Sequence, residues 1–245
     1  MTRPLIAHGL IDTKRHKDMS WLPRSAVPLD LGGVVAILSP VAPLPDTPTE
    51  QQAADWEVTE AVRHDRILSR IAAKAAVLPI RFAAIYSSRA AAADGLAGLA
   101  ANCGAELDQL HGNAQYDVVL VPRPGGDGSA CDRDLPGTHS GRSYLARQRD
   151  RRGTRLGRQH AVQKLLDDLE LAVRPLARRS LTLTPRKDRY GGVSLLLDPA
   201  DADALIDGLR ALDKAAGQHR MEFAIRGPRP AYDFAATTQD TDLNT

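Results

Sequence analysis

The stretch RPGGDGSACDRDLPGTHSG, Arg123–Gly141, divides this chain. Twelve of its nineteen residues are Gly, Pro, Asp or Ser, types that favour turns over repetitive backbone. It carries neither a helical nor an alternating apolar pattern. On each side lie about 100 residues, enough for an independent core. The sequence therefore predicts an N-terminal domain over 1–122, a flexible linker over 123–141, a C-terminal α+β domain over 142–234 and a polar, disordered tail over 235–245.

Each half has a readable order. RPLIAHGLID and GGVVAILSPV read as strands, the second buried and β-branched behind a glycine pair. The segment between them is an irregular link. The proline-rich APLPDTPTE leads into a helix from about Glu50 to Val77, with Thr49 as N-cap and Gln52 completing a capping box. Its apolar seam is Ala61, His64, Leu68, Ile71 and Ala75, so His64 lies on the packed face. PIRFAAIYS then alternates, with Ile80, Phe82, Ala84 and Tyr86 on one face and Arg81, Ala83 and Ile85 on the other. If that second face is buried, Arg81 needs a partner, either an internal ion pair or another molecule. Ser88 caps a further helix with the seam Leu96, Leu99, Cys103, Leu107 and Leu110, and QYDVVLVP is a fourth strand. The order β, β, α, β, α, β predicts an α+β sandwich of modified ferredoxin-like type. The second half reads as a long helix from Ser143 to about Arg179, then a small antiparallel sheet with a packed helix that starts after Asp198 and Pro199.

The chemistry that composition and motifs allow is limited. Net charge is +2 with 43% hydrophobic and 25% charged residues, an ordinary soluble balance that does not mark a nucleic-acid protein. Cys103 and Cys131 have no metal or redox spacing, which makes a reducing cytoplasm the expected compartment. The apolar start is too short and interrupted for a signal peptide, and LGGVVAILSPVAPL is too short and proline-broken to span a bilayer. None of the seven histidines pairs with a neighbour at zinc-ligand spacing, and no G-x-S-x-G elbow occurs. PGGDGSACDR lacks the lysine and the strand-to-helix setting of a phosphate loop. No catalytic, cofactor-binding or metal residue is expected. A hydrogen-bonded core imidazole is the favoured reading for His64 over a catalytic one. Arg147, Arg151, Arg155 and Arg158 form one positive helical stripe, read first as a solvated face; Tyr144 is the one aromatic beside it.

Several stretches together resemble a known family. VLPIRFAAIY after the helix bearing His64, GNAQYDVVLV, GRSYL and RGPRPAYDF match, in order, four blocks of the gas vesicle GvpL/GvpF proteins, covering nearly the whole chain from Arg3 to Phe234. The departures are Ala83 where the family has glycine, Gln115 and Tyr116 for an acid and a tryptophan, Arg229 for tryptophan, Ala231 for proline and Asp233 for serine. The resemblance implies a two-domain α+β fold and a non-enzymatic accessory protein of gas vesicle formation. It also implies partners: the hydrophobic shell protein and other gas vesicle accessory proteins, with no nucleic acid and no membrane. The implied location is the cytoplasm, with association to the vesicle.

Two other readings compete: a nucleic-acid- or nucleotide-binding regulator on ferredoxin-like domains, motivated by the fold and the arginine stripe, and a small enzyme using His64, Arg81 and an acid. The first lacks the aromatic motif of RNA-binding sheets. Nothing supports the second directly. The candidate structural or partner-contact residues are His64, Arg81, Phe82, Tyr144, Pro228, Tyr232 and Phe234. In RGPRPAYDF, Gly227 and Pro228 are expected to end the last strand, and Tyr232 and Phe234 to fold back as a clamp on either domain.

Overall fold

A computed structural model describes residues 3–16, 18–45, 47–123 and 141–239, without the side chains of 141–155 and 236–239. The linker 124–140, the tail 240–245, and the side chains of Tyr144, Arg147, Arg151 and Arg155 lie outside the described residues.

The chain is a mixed α/β protein with two sheets and separates into two compact units, residues 1–115 with 227–245, and residues 116–226. In the first unit, β1 (Leu5–Asp12) is central. It pairs antiparallel with β3 (Val34–Pro40) on one side and with β4 (Val77–Pro79) and β5 (Ile85–Tyr86) on the other. The irregular link holds a strand of its own, β2 (Val27–Asp30), at the outer edge beside β3. Helix α1 (Glu50–Ala72) starts at Thr49 with both hydrogen bonds of a capping box, which satisfy two otherwise orphaned N–H groups. Its Ile67, Leu68 and Ile71 pack on Ile11, Val35, Ile37 and Val77. Gly9 allows this approach, because a Cβ there would stand 2.6 Å from a Val77 methyl and 3.0 Å from Leu68.

Two expected elements are each divided. The strand PIRFAAIYS becomes β4 and β5 around a turn, with Ala83 at φ +71°. The next helix becomes α2 (Arg89–Asn102) and α3 (Gly104–Leu110), broken at the buried Cys103. Burial pushes the Cys103 thiol pKa up.

The fourth strand departs from the expectation. Strand β6 (Ala114–Pro122) joins the second sheet, whose order is β7-β8-β6-β9, with β7 (Arg179–Leu183), β8 (Gly191–Leu197) and β9 (Met221–Arg229). The physical reason is close approach: a Cβ on Gly192 would lie 2.2 Å from the Val118 carbonyl oxygen, so only glycine lets β8 lie against β6. The Ser194 hydroxyl also donates to Asp117 Oδ1 at 2.9 Å. Helix α4 (Gly141–Val173) and α5 (Ala202–Gln218) complete this unit. Its core includes Leu120, Leu165, Ala216 and Met221. Asp198 caps the 3-10 turn that precedes α5.

The chain end also differs. Strand β9 runs through Gly227 and Pro228 to Arg229, so they do not end it. An edge strand tolerates a proline, since no neighbour needs its N–H. Where a disordered tail was expected from 235, helix α6 (Tyr232–Gln239) forms, with Phe234 and Ala235 both buried. Among the described residues, no helix is long and apolar enough to cross a membrane.

Candidate functional site

The polar cluster at the heart of the first unit begins with an irregularity in β1. Ala7 pairs with Leu38 and Gly9 with Ile37, which leaves His8 as an extra, bulged residue. Its carbonyl still accepts from Ile80 N at 2.8 Å, and Ala7 N donates to the Ala84 carbonyl at 2.9 Å. The 80–84 turn is thus hooked to β1 on both sides of His8.

Around His8 runs a chain of side-chain hydrogen bonds. His8 Nδ1 lies 2.9 Å from His64 Nδ1 on α1, and His8 Nε2 lies 2.8 Å from Ser39 Oγ on β3. His8 and Ser39 are fully buried and His64 is 3% exposed. Desolvation lowers both imidazole pKa values, His8 to about 3 with help from the nearby His64 and Arg63 charges. Both rings are therefore neutral at pH 7. His64 also bonds the Ile80 backbone, and with Nδ1 facing His8 the donor is Nε2–H. That assigns every proton by elimination: His8 Nδ1–H donates to His64 Nδ1, and the Ser39 hydroxyl donates to His8 Nε2. Phe82 closes the cluster edge-on, its centroid 5.6 Å from His64. Beside it, Glu60 is buried and 3.4 Å from Arg63 Nη1, which also donates to the Pro40 carbonyl at 2.9 Å.

A hydroxyl, an imidazole and an orienting group in series have the order of an activated nucleophile. Here Ser39 is sealed from solvent, so no substrate atom reaches its Oγ. What the chain does instead is tie β1, β3, α1 and the 80–84 turn together through satisfied buried polar groups.

Arg81 is exposed on the turn, as are Ala83 and Ile85, and it is not without a partner of its own. Ala83 occupies a backbone region that costs an L-residue roughly 1–2 kcal/mol and costs glycine almost nothing. Replacing Ala83 by Gly is expected to stabilise the protein by about 0.5–1 kcal/mol, part of the relief being offset by the freer unfolded chain. A melting temperature equal to or below that of the parent would show the turn to be unstrained.

The C-terminal segment folds onto the first unit. The Tyr232 hydroxyl donates to Asp65 Oδ1 at 2.8 Å, Arg229 lies over its ring, and burial with the Asp65 bond pushes its pKa up. Gln115 Nε2 donates to Asp233 Oδ2 at 2.7 Å, and Asp233 N donates back to Gln115 Oε1 at 3.1 Å. Phe234 is 2% exposed, whereas Pro228 is exposed. On the second unit, Arg158 donates to the Tyr190 hydroxyl and stacks over its ring at 5.2 Å.

Sequence reasoning missed His8, Ser39 and the Gln115–Asp233 pair. His8 had one legible sign, a polar residue before glycine inside the apolar run LIAHGLID. Ser39 and Gln115 had none, since their partners are 31 and 118 residues away. Among the described residues, no group of three His, Cys, Asp or Glu side chains could hold a metal ion.

The gas vesicle synthesis protein GvpL/GvpF family matches residues 14–236. The chain belongs to that family. Two solved structures share the fold of this GvpL/GvpF protein. The gas vesicle protein GvpF from Anabaena sp. PCC7120 is 15% identical, with a TM-score of 0.60 over 96% of this chain and 98% of the other. GvpF from Microcystis aeruginosa is 12% identical, with a TM-score of 0.58 over 96% and 99%. No curated protein sequence matches the chain. Ala83, Gln115 and Asp233 are three of the positions where a departure from the family blocks was expected; Ala83 sits at positive φ, and Gln115 and Asp233 are bonded to each other.

Proposed function

We propose that this protein is a non-enzymatic accessory factor of gas vesicle formation that binds other gas vesicle proteins, the hydrophobic shell subunit among them, in the cytoplasm and at the growing vesicle. The observation that carries this reading is the family match over residues 14–236, joined to a fold shared end to end with two GvpF proteins. A protein that chaperones an apolar subunit must offer it apolar surface while staying soluble itself, and Val58, Val62, Leu171 and Ile225 are large apolar side chains exposed on this chain.

The test is co-purification of the tagged, full-length protein with the shell subunit and the other gas vesicle proteins expressed from their own gene set, together with deletion of its gene. Recovery of the shell subunit and loss of vesicles on deletion are expected. Vesicles of normal number and shape without the protein, and no gas vesicle protein retained by it, would overturn the reading.

A further inference from the structure

Two turns and the end of β6 meet at one end of the second unit's sheet. Tyr190, at the foot of the β7–β8 hairpin, donates its backbone N–H to the Leu120 carbonyl at 2.8 Å. Further along β6, Arg123 N donates at 3.0 Å to the carbonyl of Arg220, in the turn between α5 and β9. Arg158 reaches the same end from α4, since its guanidinium lies over the Tyr190 ring. With β8, β6 and β9 side by side, these segments cover two strand spacings, about 10 Å.

This end is basic. It carries Arg123, Arg158, Arg186, Lys187 and Arg220, all exposed, and the half-buried Arg189. The hairpin tip 184–190 and the turn 217–222 hold two acids, Asp188 and Glu222. Glu222 is engaged by Arg123 at 3.3 Å. The Arg123 guanidinium also lies against the last turn of α5, 3.3 Å from the point that a Cβ on Gly217 would occupy, and the carbonyl end of a helix attracts a cation. Arg123 thus has a structural role. The other cations lack one of that kind: among the described residues, no carboxylate lies within ion-pair distance of Arg158, Arg186, Lys187, Arg189 or Arg220. Arg220 adds a second sign. It has φ +58° directly after the C-cap residue His219, a place where helices commonly use glycine because a Cβ is crowded there. The chain holds an exposed arginine where glycine would fit with less strain.

We propose that this end of the second unit docks an acidic segment of another protein, a short extended run of Asp or Glu whose carboxylates pair with Arg158, Arg186, Lys187 and Arg220. The inference goes beyond the accessory role above and does not depend on it. A guanidinium binds a carboxylate through two parallel N–H bonds, and about three extended residues cover the width of the surface. Nucleic acid fits less well, because bases need a free aromatic face to stack on. Tyr190 already has its ring under Arg158 and its hydroxyl bonded, Tyr116 is buried, and Phe223 packs against the core of the unit.

Fluorescence anisotropy of labelled hexaglutamate titrated with the full-length protein tests this, at about 0.01 M salt, where charges act over about 30 Å, and at about 1 M, where they act over about 3 Å. Binding is expected in low salt and release in high salt. Arg186→Glu with Lys187→Glu, at the hairpin tip, should weaken binding about tenfold or more. Arg174→Glu with Arg178→Glu makes the same change in net charge at the far end of the sheet, where Arg178 N donates to the Leu196 carbonyl, and should leave the affinity within about twofold of the parent. Arg220→Gly should melt higher than the parent, its backbone being relieved, and bind hexaglutamate less tightly. Melting curves check that every variant is folded. No hexaglutamate binding in low salt overturns the proposal, as does an equal loss in the two reversed pairs or an unchanged affinity in Arg220→Gly. Tighter binding of single-stranded DNA of equal charge would assign the surface to nucleic acid. Concentration-dependent growth of the parent alone, abolished by Arg186→Glu with Lys187→Glu, would assign it to a second copy. Either result overturns the proposal too.

Discussion

Between pH 7 and pH 4 the protein is expected to lose about 3 kcal/mol of folding stability through His8 alone, with His64 adding in the same direction. The folded-state pKa of His8 is lowered from 6.5 to about 3. Above pH 6.5 the ring is neutral in both states and the shift has no effect. Below it, the unfolded chain takes up a proton that the folded chain refuses, so stability falls as pH falls, by about 1.4 kcal/mol per pH unit, until the folded ring also titrates. A proton entering the cluster would sit beside His64 and near Arg63, both of which disfavour it, and would reverse the donor role assigned to Ser39. Urea melts of the parent and of His8→Asn over this pH range measure the effect. The variant is expected to start less stable, because Ser39 and His64 lose partners, and to show a flatter dependence on pH. Parallel curves would place the acid sensitivity in other groups.

The second large effect belongs to the C-terminal segment. Phe234→Ala is expected to cost about 3–5 kcal/mol, the range for emptying a fully packed aromatic site, and to lower the melting temperature by about 10 °C for a chain of this size. Deleting everything from Gly227 should cost more, since it also removes the Tyr232–Asp65 bond and the reciprocal Gln115–Asp233 pair and leaves Gln115 buried without that partner. Deleting only from Thr237 keeps all three contacts and should change stability little. Equal melting temperatures for the two truncations would show that the segment does not clamp the first unit.

The difference between the expected and observed fourth strand shows how far local pattern reaches. QYDVVLVP announces a strand by its β-branched run, and Ala114–Pro122 is one. Its residues are buried on both faces, from Gln115 to Leu120, so alternation carries no sign of which sheet it enters. The choice lies with Gly192, 74 residues after Val118, whose missing side chain admits β6. The broken strand at 80–86 is a similar case. Its alternation of half-buried and exposed side chains is real, yet the bulge at His8 and the hooks to its flanks impose a turn, and the extra residue in β1 has no local signature.

The sequence by itself determined the family, the mixed α/β class, the capping box at Thr49 and the positions of the helical seams, because each depends on residues within a turn or two of one another or on the order of short blocks. Only the tertiary structure decided the rest. It set the partner of every buried polar group, the assignment of β6 to the second sheet, and the return of Tyr232 and Phe234 to the first unit. These depend on contacts between residues far apart in sequence, where burial makes an unsatisfied donor or a misplaced methyl group cost more than any local preference supplies.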